Sequence, residues 1–264
     1  EIGVRLVGSE MCIRDRFVRA GMVAVAVDNP CTGETADLEW VSPKYRGYDY
    51  DDASRVLLEL GWSYQGYASF IDRYVLEWMK RQPAVRHDRI VVSGFSLGTE
   101  TLMILGALDR EIYAFVYNDF LCRTRERALA MTLPGNDGRR HFPNSIRHLI
   151  PGMLTQFDFP DLVAALAPRP VICTEGGMDR DFRLVEHAYA IAGNPSGCRC
   201  LHQPRFADPA VRHDIDSIPY GISRDDFFRL ANVDPKNHYF KGETIVPWVK
   251  DIVVRYRGAT VDKH

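Results

Sequence analysis

The sequence predicts an α/β fold: a mostly parallel sheet flanked by helices. Three observations predict it. Short apolar runs recur along the chain, separated by amphipathic stretches of about ten residues or more, as parallel strands joined by crossover helices read. One junction between such a run and the next helix carries Gly94-Phe95-Ser96-Leu97-Gly98, a turn pattern whose proper setting is strand, turn, helix. With 264 residues, 46% hydrophobic and 26% charged, the chain can fill one domain with a full-sized core.

Leu6–Arg16 shows no apolar period, cap or turn signal, and its back-translation resembles the transposon-end adaptor used in sequencing libraries. Residues 1–16 are therefore expected to be a non-native segment, with the domain proper at 17–264. Met22–Val27 is a continuous apolar run ending in Asp28-Asn29-Pro30 and reads as the first strand. Gly61–Gln82 places Tyr67, Phe70, Ile71, Tyr74, Val75 and Trp78 three and four apart, which predicts an amphipathic helix stopped by Pro83. A strand is expected at Arg89–Ser93, a helix at Gly98–Leu108 and a strand at Ile112–Tyr117. Residues 121–159 carry Pro-Gly punctuation and read as a lid-like insertion. A strand at Pro170–Thr174, a helix at Phe182–Ala192 capped by Asp181, a weak strand at Cys198–His202 and a closing helix at Glu243–Tyr256 complete the pattern.

Composition narrows the function classes. A formal charge of −2, with basic residues scattered rather than clustered, removes the excess that phosphate-backbone binding needs, so no nucleic-acid partner is expected. No run of about 18 apolar residues occurs, so no helical membrane span is expected. The six cysteines lack zinc-ligand spacing and read as ordinary buried thiols. Asp214, Asp216, Asp225 and Asp226 lack the glycine and terminal glutamate of a calcium loop. Neither a metal nor a cofactor is expected.

Ser96 is the candidate nucleophile. Gly94 and Gly98 remove side chains where a strained turn brings strand and helix together, projecting the hydroxyl above the sheet edge. A serine hydroxyl needs a base, and the base an acid that holds its tautomer. Asp179, in the loop after Pro170–Thr174, is the candidate acid, with Glu175 and Asp119 as alternatives after strand ends. His238, on a loop before the closing helix, is the candidate base, with His213 as its rival; His87, His141, His148 and His202 read as solvated or structural. Arg123, Arg125, Arg127, Arg139 and Arg140, in or near the insertion, read as a solvated charged face, with an anionic substrate such as a uronate as the alternative.

The order Ser96, Asp179, His238 with the Gly94–Gly98 elbow resembles the α/β-hydrolase fold. The turn Asp28–Thr35 and the segment Leu60–Gly66 with Ile71-Asp72 resemble its acetyl-xylan-esterase-like and dienelactone-hydrolase-like branch, over roughly residues 17–256. The resemblance implies a carboxylic ester hydrolase working through an acyl-enzyme without cofactor, on a small-molecule or carbohydrate ester. It makes the Leu97 amide an oxyanion donor and Met22–Val27 the fourth strand. The first three strands, and the loop that donates the second oxyanion amide, are then expected to be absent, lowering the rate about 100- to 1,000-fold. Prolyl-oligopeptidase-type peptidases and a non-catalytic binding protein of the same fold are the rival readings. The oligomeric state is not encoded legibly.

Overall fold

The computed structural model describes residues 9–35, 50–134, 138 and 145–255. Four parallel strands lie in the order β1 (Val91–Phe95), β2 (Ala114–Asn118), β3 (Val171–Cys173), β4 (Cys198–Cys200). The helices are α1 (Ser9–Arg19), α2 (Tyr50–Glu59), α3 (Tyr64–Lys80), α4 (Leu97–Leu108), α5 (Thr124–Thr132), α6 (Phe159–Ala164), α7 (Asp179–Ile191), α8 (Arg224–Leu230) and α9 (Gly242–Arg255). β2 is buried along its whole length, because helices cover both of its faces. Phe115 and Tyr117 face one core with Leu105, Leu166 and Val185, while Val116 meets Ile172, Ile245 and Val249 under α9. Each fully buried side chain of this size contributes about 1.5–3 kcal/mol.

The strand expected at Met22–Val27 is not one. The segment makes no ladder, and Val23, Val25 and Val27 are exposed. A strand needs a neighbour about 4.8 Å away, and the segment has none among the described residues. The outer edge of β1 is unpaired among the described residues. β1 itself begins two residues later than expected, since its register with β2 starts at Val91 opposite Ala114.

α3 forms as expected, with Ser63 Oγ accepting the Gly66 N–H at 3.0 Å as its N-cap. Its buried face is rotated relative to the predicted stripe, of which Tyr67, Ile71 and Val75 are half-buried. Phe70, Tyr74 and Trp78 point outward, and Gln65, Ala68, Ser69 and Leu76 face inward. The small residues allow close approach to α4, where Ser69 Oγ donates to the Thr101 carbonyl at 3.0 Å.

Part of the expected insertion is packed rather than loose. Asp158 caps α6 and also accepts the Thr124 and Arg125 N–H groups at 2.9 and 3.0 Å, so one carboxylate starts two helices. Arg139, Arg140 and His141 lie outside the described residues. The Leu6–Arg16 segment is helical from Ser9 onward, and Arg16 reaches Glu243 at the start of α9. Cys31, Cys122, Cys173, Cys198 and Cys200 are free thiols, of which Cys122 and Cys173 are buried as expected and the other three only half-buried. Among the described residues no helix is long and apolar enough to cross a membrane.

Candidate active site

Ser96 joins β1 to α4 with φ 53° and ψ −121°, a backbone conformation disfavoured for a residue with a side chain. Its own N–H donates to the Asn118 carbonyl at 3.1 Å, which anchors the turn to the end of β2. The two elbow glycines are not equivalent. A Cβ on Gly94 would stand 2.7 Å from the Gly98 carbonyl oxygen and the Thr99 Cα, whereas one on Gly98 would meet only the Asn29 amide at 3.6 Å. Gly94→Ala is therefore expected to cost about 1–3 kcal/mol of stability and Gly98→Ala much less, measurable by urea unfolding. Leu97, the first residue of α4, has an N–H with no acceptor within the helix by position.

The His238 ring lies against the Phe95 ring, centroids 4.8 Å apart, beside the residue that precedes Ser96. Its Nδ1 pairs with Glu175 Oε2 at 2.5 Å. Glu175 is 1% exposed, and its other oxygen accepts from Asn118 Nδ2 at 2.9 Å, the Tyr239 N–H at 3.2 Å and Lys241 Nζ at 3.1 Å. A buried carboxylate with this many donors has its desolvation offset. The hydrogen bond to Glu175 raises the His238 pKa above the ordinary imidazole value, against the opposing effect of burial.

Asp179 does not serve His238. Its Oδ1 accepts from His202 Nε2 at 2.7 Å and Arg212 Nη1 at 3.1 Å. The reason is local: Glu175 sits one residue past Thr174 at the β3 edge, while Gly176 and Gly177 turn the chain and Asp179 opens α7 toward the end of β4. Asp181, expected as a cap, lies inside α7, fully buried against Arg123. His213 is held elsewhere, its backbone bonded to the Asn232 side chain and its Nε2 3.3 Å from Arg229. Asp119 is near: one oxygen each from Asp119 and Glu175 and a His238 nitrogen all lie within 4.8 Å of one another.

Three site residues escaped sequence reasoning. Asn118, fully buried, links the elbow to Glu175 and, through Oδ1, to the Lys241 N–H at 2.7 Å. Gln203 ties the long segment before His238 into a closed loop, donating to the carbonyls of Asp234 and Asn237 at 3.1 and 3.0 Å. Glu100, in the first turn of α4, receives Gln65 Nε2 at 2.6 Å, His148 Nδ1 at 2.6 Å and Arg127 Nη2 at 3.2 Å. Burial would raise its pKa, but His148, Arg127 and Arg147 overcome this and hold it down to about 2. An acidic residue at a helix start is a common signal; nothing in the spacing marks these partners. Arg123 and Arg127, expected on a solvated face, instead neutralise buried carboxylates.

The pattern of the Abhydrolase family matches residues 7–251. The chain belongs to the Abhydrolase family. It is similar to the crystal structure of a candidate acetyl xylan esterase from Bacteroides fragilis, with 58% identity and a TM-score of 0.85, over 90% of this chain and 62% of that one. The chain thus spans less than two thirds of that relative's length, and the shared fold is that of the α/β hydrolases. Among structures of lower likeness is a glucuronoyl esterase from Caldicellulosiruptor kristjansonii, at 18% identity and TM-score 0.38 over 61% of this chain and 54% of that one. Another, from Teredinibacter turnerae, has 18% identity and TM-score 0.36, over 54% of this chain and 43% of that one. No curated protein matches the sequence.

Proposed function

We propose that this member of the Abhydrolase family is a serine hydrolase of carboxylic esters, with acetylated carbohydrate as its substrate class. The observation that carries the reading is the His238–Glu175 pair beside the strained Ser96 turn. Ser96 Oγ attacks the acyl carbon while His238 Nε2 takes its proton. The Leu97 N–H stabilises the oxyanion. His238 then protonates the departing alcohol oxygen, and water, activated by the same imidazole, releases the acid and restores Ser96. Glu175 orients the ring through Nδ1 and stabilises the imidazolium. The substrate class follows from the likeness to the Bacteroides fragilis protein, 58% identical and a candidate acetyl xylan esterase.

A fluorophosphonate probe tests the mechanism. The expected result is one adduct, mapped to Ser96 by peptide mass spectrometry; a folded chain that stays unlabelled, or is labelled elsewhere, overturns the reading. The labelling rate should also depend on pH with a definite sign. Only neutral imidazole accepts the serine proton, and the Glu175 bond raises the His238 pKa. The rate should therefore rise with pH, its midpoint lying above about 6.5, the ordinary imidazole value.

A further inference from the structure

The chain carries a carboxylate after β2 as well as after β3, and both face one imidazole. Asn118 ends β2, and Asp119 follows it, with an oxygen within 4.8 Å of a Glu175 oxygen and a His238 nitrogen. The two acids are held differently. Glu175 is fastened by His238, Asn118, Tyr239 and Lys241, while the hydrogen bond drawn by Asp119 Oδ1 comes from the adjacent Phe120 N–H at 2.8 Å.

We propose that Asp119 is a second, reserve carboxylate for His238: a positioning residue that supports the imidazolium and takes over where the Glu175 carboxylate is removed by substitution. This rests on the serine-hydrolase reading. Two negative charges so close repel each other, and the charged groups around Asp119 act in both directions. Glu175 from the β3 edge and Glu100 from α4 oppose its ionisation, while His238 favours it; Arg127, from α5, lines the same small cavity. Burial is the largest influence, and together these push Asp119 up to about 7. Lys241 also faces His238 and opposes its protonation. Removing the Glu175 charge removes one of the repulsions on Asp119, so it ionises more readily and becomes the anion nearest the ring.

The test is the rate of fluorophosphonate labelling across pH for the wild-type chain, Glu175→Gln, Asp119→Asn and the double variant. In the Glu175→Gln background, Asp119→Asn should lower the residual rate about tenfold or more and move its acid limb to lower pH, because the imidazole loses its remaining anionic neighbour. An unchanged rate and limb overturn the proposal. Asp119→Ser, tested in the same background, carries the same expectation if circular dichroism shows the asparagine variant unfolded. A wild-type chain that fails to label at Ser96 sinks the hydrolase reading itself; labelling at Ser96 with no added effect at Asp119 sinks only the reserve acid.

Discussion

Ser96→Ala is expected to lower hydrolysis of an activated acetyl ester such as p-nitrophenyl acetate by roughly a millionfold, the scale seen when a serine nucleophile that works as a unit with its base is deleted. The loss should fall on kcat, since an alanine at the elbow leaves the pocket walls in place. Stability should move the other way or hardly at all. Ser96 carries φ 53°, and strained residues of this kind are held by their surroundings at a cost. Alanine retains the backbone problem, so the melting temperature is expected to change little, whereas Ser96→Gly should raise it. Substantial hydrolysis by the alanine variant, assigned to the protein by its elution with the folded peak, would remove the serine mechanism.

The second large effect separates two carboxylates that lie four positions apart in the sequence. Glu175→Gln should reduce kcat about 10³-fold, short of the roughly 10⁴-fold expected of an acid with no substitute, because an amide at this site cannot stabilise the imidazolium and can hold the ring in the wrong tautomer while Asp119 keeps part of the support. Asp179→Asn should change kcat only a few-fold, since its partners are His202 and Arg212. Its consequence belongs to stability: a charge-assisted contact within a half-buried group is weakened, for about 1–3 kcal/mol. Steady-state kinetics on the two variants, with urea unfolding of each, decides the matter. A large loss of kcat at Asp179 with Glu175→Gln near wild type would reverse the assignment of the acid.

The sequence by itself determined the class of fold and singled out Ser96 as the candidate nucleophile, because both depend on short-range order. Alternating apolar runs and helical periods set the parallel sheet, and Gly94-Phe95-Ser96-Leu97-Gly98 binds its chemistry to one turn. His238 was visible for a similar reason: it sits in a loop just before a well-marked closing helix. Which carboxylate pairs with His238 was not legible, since Asp119, Glu175 and Asp179 all follow strands and differ only in where the backbone aims them. Tertiary structure decided it through the Gly176-Gly177 turn, which carries Asp179 toward β4 and leaves Glu175 at the edge beside His238. The same holds for Asn118, Gln203 and Glu100, whose partners lie tens of residues away in sequence. The aromatic stripe of α3 and the Met22–Val27 run marked apolar surface correctly but not what covers it. Periodicity reports which residues share a face; only the packing of neighbouring elements determines whether that face is turned inward.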